Sequence, residues 1–383
     1  MKKMAKPYHA VLILGLVFVL ILAGCSGGSD GSQGSGSSGG SDGSGGSGGS
    51  DNVQTINLRI GSGHTVEGGV WTQKAHEFFV PEVNKRLEGT GYQIKWTEAY
   101  GGSVAKLGEN LDAVQQGLLD LSVVIVPFKP SDLLISNIGY NTPFGTTDPE
   151  IMAEVLVELY NKYPEFGEEF KKKGQRLLAF GTSDSYEIVT KFPINTVEDL
   201  KGHKIGGAGS NLGWIEPIGV TPVQAGLSET YQSIQTGVFE GYIMYTRGTL
   251  GYRLHEVAPY FTEVGFGSIL VAVLTINENT YNNLPPEVQK VIDEVGAELT
   301  FEIARASKAD REANLQKMIE EGAIHSVLSE EERAKWAEML PNQPNEYAKK
   351  LNEAGLPGSQ IVRDYLQLIK EKAGSLPREY VIE

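Results

Sequence analysis

The 383-residue sequence is poor in cysteine, in basic charge and in long apolar runs. Its one cysteine, Cys25, excludes a disulfide framework and any zinc or iron–sulfur site built from several thiolates. Lys and Arg number 33 against 48 Asp and Glu, a formal charge of −15. That balance argues against a nucleic-acid binder, which meets phosphates with clustered cations. No P-loop or HExxH pattern occurs, and GxSxG matches only between residues 24 and 51, in the low-complexity Gly/Ser stretch and at its edge, where no strand–turn–helix could present a nucleophile. The nearest approach to a dinucleotide fingerprint, Gly207–Gly213 (GAGSNLG), has its third glycine one place late and does not open a domain. His64, His76, His203, His255 and His325 show no paired spacing suited to a metal. Neither a cofactor nor a metal is expected, and no motif recommends catalysis.

What is present begins with an address. Lys2, Lys3 and Lys6 precede the apolar run Ala10–Gly24, which falls short of the roughly 20 residues a membrane-crossing helix needs. A charged start, an apolar middle and small residues at the end make a secretory signal over residues 1–24. Leu22-Ala23-Gly24-Cys25 resembles the lipobox of bacterial lipoproteins, which implies cleavage before Cys25 and a lipid on its thiol. Removal takes three lysines and no acids, so the remaining chain carries −18. Residues 26–51 hold 12 Gly and 10 Ser. Such a segment has nothing to bury and makes a flexible tether with an r.m.s. span of about 28 Å. Residues 25–52 are therefore read as lipidated cysteine plus linker, holding the chain at the outer face of the cell membrane or in the periplasm.

The rest alternates strand and helix patterns. Gln54–Gly61 and Gln93–Thr97 read as strands, residues 71–88 and 103–116 as helices, and Leu121–Val126 (LSVVIV) as a strand buried on both faces. Thr196 with Asp199 makes a capping box, and Ser228–Thr236 is a further helix stopped by Gly237. Ala113-Val114-Gln115-Gln116-Gly117-Leu118-Leu119-Asp120 is echoed 120 residues later by Ser233-Ile234-Gln235-Thr236-Gly237-Val238-Phe239-Glu240. The echo fits either an internal duplication or one local structure used twice. After Pro285-Pro286 the chain runs to Gly322 with no proline and one glycine, Gly296. Thirty-five helical residues there would span about 52 Å, enough to cross two lobes. The fold class is α/β: a two-lobed, periplasmic-binding-protein-like body with a long helix spanning both lobes. Lobe I is expected over 53–180 with about 271–305, and lobe II over 181–270 with about 306–383.

Several stretches, in order, resemble the solute-binding subunit of TRAP transporters (the DctP-like family). They are Gln116-Gly117 with Asp120-Leu121, Asp199-Leu200-Lys201-Gly202-His203-Lys204-Ile205, Gly219-Val220-Thr221-Pro222, Leu227–Gly241 and Glu278–Gln289. The resemblance implies two lobes closing on a small solute and delivery to a membrane permease driven by an ion gradient. It also implies an arginine after the Lys-Gly-x-Lys-Ile run, to pair with a substrate carboxylate. Here that position is Gly206, and Met244 stands where the family's ligand-facing asparagine would be. Arg247 is either a replacement cation or an exposed loop residue. The remaining candidates are aromatic: Trp71, Tyr100, Phe128, Tyr186, Trp214 and Tyr245, each either a cleft wall or plain core. Together they point to an aromatic or apolar organic acid. A second reading uses Glu67 with the aromatics as a cage for an amine, or takes a neutral solute. A third is a lipid-anchored sensor uncoupled from transport.

Overall fold

The computed structural model describes residues 53–374 and 376–383; the leader 1–24, Cys25 and the rest of the linker lie outside the described residues. Two mixed sheets carry the fold. The first has the order β2-β1-β3-β10-β4, from Gln54–Ser62 (β1), Tyr92–Ala99 (β2), Leu121–Ile125 (β3), Gln175–Thr182 (β4) and Leu270–Asn277 (β10). The second has the order β11-β9-β5-β8-β6-β7, from Tyr186–Thr190 (β5), Lys204–Gly207 (β6), Thr221–Gln224 (β7), Gly241–Met244 (β8), Tyr260–Gly267 (β9) and Ile324–Val327 (β11). Each sheet defines a lobe.

The two sheets repeat one plan. β1 lies parallel to β2 and β3, as β6 lies parallel to β7 and β8. Two antiparallel strands follow: β10 then β4 in the first sheet, β5 then β9 in the second. The fourth strand of each sheet thus arrives directly from the other lobe. The sequence echo sits at equivalent places in this plan. Gly117 and Gly237 end their helices at φ 72° and 78°, a left-handed conformation that glycine adopts without strain. Leu118 N–H donates to Ala113 O, and Val238 N–H to Ser233 O, both at 2.9 Å. Asp120 N–H then bonds Arg59 O, and Glu240 N–H bonds Lys204 O, which fixes each following strand against its neighbour.

Two short segments, 183–185 and 268–269, carry the chain between the sheets. They lie side by side: Ser183 N–H donates to Ile269 O at 3.2 Å and Ser268 Oγ to Ser183 O at 2.6 Å. The third crossing is the long helix Pro286–Glu320, as the absence of helix breakers predicts. Its Gly296 passes over β4 so closely that a Cβ would lie 2.9 Å from Leu178 O. Thr300 Oγ1 accepts from Phe180 N–H, and Ser307 Oγ donates to Thr182 O, fastening the helix to the edge strand.

Three local expectations differ from the structure. The helix expected over 103–116 forms only at Asn110–Gln115, because Gly108 takes φ 85° and breaks the run; Val104 is left exposed. The helix from Val70 widens to a π turn over Ala75–Phe79 before continuing as Val80–Arg86. Pro81, with no N–H to return to Glu77, accounts for that widening. Finally, the helices Gln343–Glu353 and Gly358–Ala373, expected with lobe II as part of 306–383, pack on lobe I. Tyr347, Leu351, Tyr365 and Ile369 share one apolar cluster with Val124, Phe180 and Val273.

Candidate ligand-binding cleft

Between the lobes lies a cavity of about 880 Å³, lined from lobe I by His64, Trp71, Phe128 and Val271. Lobe II contributes Tyr186, Asn211, Gln224, Tyr242, Met244 and Tyr245. The chain geometry explains why these residues meet. Trp71 lies in the first turn of the helix that follows β1, while Met244 ends β8 and Tyr245 comes next, so both sides reach the cleft from the carboxyl ends of parallel strands. That is where α/β sheets present ligands.

An aromatic chain runs from the core into the cleft. Tyr140 and Tyr186 hydroxyls lie 3.2 Å apart. The rings of Tyr186 and Tyr245 meet edge-on at 5.2 Å, Tyr245 and Trp71 at 6.1 Å, and Trp71 and His64 at 5.9 Å. The Tyr245–Trp71 contact joins the two lobes. Burial pushes the phenols of Tyr186 and Tyr245 well above the usual range, and that of Tyr242 up to about 12. Burial also drives His64 down to about 4, so its ring is neutral at pH 7. Two residues that line the cleft each carry a buried donor with no hydrogen-bond partner among the described residues: Trp71 Nε1 of lobe I, packed against Gly69, and Asn211 Nδ2 of lobe II. The other end of the Asn211 amide is engaged, its Oδ1 accepting from Ala208 N–H at 3.0 Å. Buried amide and indole N–H groups are costly to leave unpaired, so an acceptor supplied by a ligand would relieve both.

The structure brings Trp71, Phe128, Tyr186, Met244 and Tyr245 together on the cleft and leaves the other candidates elsewhere. Trp214 is wholly buried: its Nε1 donates to Tyr140 O, its carbonyl accepts from Trp336 Nε1, both at 2.8 Å, and its ring stacks on Tyr140. Gly206 lies beneath aromatic rings. A Cβ there would come within 2.6 Å of Tyr242 and 2.9 Å of Phe239, so the rings occupy the space an arginine would need. Tyr100 sits at the end of β2 beside His76, its ring 6.0 Å away. Glu67 and Arg247 face a separate charged hollow with Gln73 and Asp310.

Arg247 lies in this second hollow and not on the cleft wall. Its guanidinium pairs with Asp310 on the long helix and donates to Gln73 Oε1 at 2.9 Å and Glu67 O at 3.2 Å. Gln73 and Glu67 belong to lobe I and Arg247 to lobe II, so the side chain ties the lobes together. Its neighbour Thr246 donates through N–H and Oγ1 to Asp184 in the crossing segment 183–185. Burial raises that Asp184 carboxyl to about 6. Residues 244–247 thus touch the cleft, the crossing and the opposite lobe in turn. Among the described residues no lysine or arginine lines the cleft, and its one formal charge is the carboxylate of Glu229 at the rim.

Sequence reasoning missed His64, Asn211, Gln224, Glu229 and Tyr242 on the cleft wall. A signal existed for two of them. Asn211 lies inside the glycine-rich stretch 206–213, and Tyr242 directly follows the Glu240-Gly241 pair.

The sequence pattern of the family described as "Bacterial extracellular solute-binding protein, family 7" matches residues 62–350. A solute-binding protein of Sulfitobacter sp. (strain NAS-14.1) is 27% identical over 191 residues, 49% of this chain and 57% of that protein. The C4-dicarboxylate-binding periplasmic protein DctP of Vibrio cholerae is 28% identical over 204 residues, 51% and 61% of the two chains. The chain thus spans less than two thirds of the length of these relatives. A TRAP solute-binding protein from a marine metagenome, specific for aromatic acid ligands and solved with 3-hydroxybenzoate, shares the fold with a TM-score of 0.73 at 20% identity, covering 83% of this chain and 99% of that one.

Proposed function

The chain belongs to the bacterial extracellular solute-binding protein family 7, and from that premise we propose that it is the extracytoplasmic receptor of a TRAP transporter. It captures a small organic acid with an aromatic or apolar body and delivers it to the membrane permease. The observation that carries this reading is the cleft between two lobes, within the roughly 300–1,000 Å³ typical of small-molecule sites. Its aromatic walls suit a flat solute, in keeping with the aromatic acid bound by the marine relative. The short crossing segments 183–185 and 268–269 serve as the hinge, and closure buries the solute before the closed body docks on the permease. Once the leader has been cleaved, a lipid on Cys25 anchors this body to the membrane. The role is capture and release, without bond-making chemistry.

Mass spectrometry of solute released from the purified protein, followed by a thermal-shift screen, tests this. A solute at 100-fold excess over its Kd should add about 2.7 kcal/mol of stability. Stabilisation by no small organic molecule, with nothing co-purified, would contradict it. That no lysine or arginine among the described residues lines the cleft favours a second reading, a receptor for a neutral solute or an amine, with Glu229 at the rim as its nearest acid.

A further inference from the structure

Resting on the receptor reading, the chemistry of the cleft specifies how the polar end of the solute is held. Three observations converge. Among the described residues the wall carries no lysine or arginine, and any side chain at Gly206 would meet the rings of Tyr242 and Phe239. The nearest alternative, Arg247, is spent on Asp310, Gln73 and Glu67 in another hollow. Among the described residues that line the cleft, the buried groups without a partner are two uncharged donors, one per lobe, Trp71 Nε1 and Asn211 Nδ2; Arg247 Nε is also unpartnered but belongs to the other hollow.

A carboxylate entering such a cleft would leave water with no cation to meet it, and only neutral hydrogen bonds would offset the loss. A carbonyl of equal shape gives up far less hydration and accepts from the same donors. We propose that the cleft reads a hydrogen-bond acceptor rather than a negative charge, and so takes uncharged planar carbonyl compounds, aromatic amides among them, at least as well as the matching carboxylates. The ring lies among Trp71, Tyr186 and Tyr245, and the carbonyl accepts from Asn211 and Trp71. Gln224 and Glu229 offer acceptors for an amide N–H on the open side. Bound between donors from opposite lobes, the carbonyl also helps hold them closed.

The test is isothermal titration of the purified protein at pH 7.5 with two matched pairs: benzamide against benzoate, and 3-hydroxybenzamide against 3-hydroxybenzoate. The amides are expected to bind as tightly as their acids or up to tenfold tighter. Asn211→Asp, which keeps the oxygen that Ala208 N–H needs and removes the donor, should weaken the amides about tenfold and the acids by more. Trp71→Phe, which keeps a ring and loses the N–H, should weaken both members alike. Acids preferred by tenfold or more would overturn the proposal, as would amide affinity unchanged in Asn211→Asp with the fold intact by circular dichroism. Binding by none of the four compounds would overturn it too, whereas the receptor reading falls only if no co-purified or screened solute of any class binds.

Discussion

Replacing Arg247 by alanine separates a ligand contact from a lobe fastening. The guanidinium makes one ion pair to Asp310 and two hydrogen bonds to lobe I, at 2.9 and 3.2 Å. The ion pair is partly exposed, with side-chain exposures of 19% and 38%, so it contributes about 0.2–1 kcal/mol. It also stays within the lobe II side, because Asp310 lies on the distal half of the long helix. The two bonds that cross between lobes have a charged donor, one half-buried to Gln73 and one exposed to Glu67; discounted for solvent, they contribute about 1–2 kcal/mol together. Arg247→Ala should therefore shift the closed-to-open ratio by about 5- to 30-fold toward open. Spin labels at Lys95→Cys on β2 and Lys204→Cys on β6, with Cys25→Ser, would report this as a broadened, longer interlobe distance without ligand. Apparent affinity should fall by the same factor at most, since only the population of the competent state has changed. An unchanged distance distribution would refute the fastening. Complete loss of binding with the lobes still closed would refute it in another way, by making Arg247 a ligand contact.

Three further outcomes follow from the packing and the buried acids. Gly206→Ala puts a Cβ 2.6 Å from the Tyr242 ring and should cost about 1–3 kcal/mol by urea denaturation, with Gly206→Arg costing more; an unshifted midpoint would show that the rings yield freely. Gly296→Val should loosen the long helix from β4, because its Cβ would press on Leu178 O at 2.9 Å; a cooperative melt at the parent temperature would contradict that. Glu169 and Glu187 are both raised to about 7, mainly by burial. A carboxyl with a raised folded-state pKa stabilises fully below its unfolded value and loses that contribution as pH climbs through the folded one. Stability should therefore fall between about pH 4 and 7 and then level off. For Glu169→Gln that fall should shrink by on the order of 2–3 kcal/mol, and parallel pH profiles for the two proteins would rule the cause out.

The sequence displays its architecture where local rules act alone. The long helix is visible because nothing between Pro286 and Gly322 breaks it, and the Thr196–Asp199 spacing brings the Asp199 carboxylate back to accept from Thr196 N–H at 2.9 Å. The echoed glycines mark equivalent turns because both need a left-handed residue before a strand. Side-chain destinations are another matter. Trp71 and Trp214 each follow a glycine-rich loop, yet one faces the cleft and the other is consumed by Tyr140 and Trp336, 74 and 122 residues away. Arg247 resembles a free cation until Asp310 arrives from 63 residues on. The terminal helices are amphipathic by pattern, but no local feature states which sheet they cover. What was legible is periodicity and punctuation; what was not is which of two surfaces a residue meets at long range.

The most direct measurement is a crystal structure of the protein with a solute that stabilises it. The account predicts density for that solute between the lobes, against Trp71 and Tyr245 and within hydrogen-bonding reach of Asn211, with Arg247 still on Asp310. Density in the charged hollow beside Arg247, or a cleft closed by its own side chains with the solute elsewhere, would contradict it.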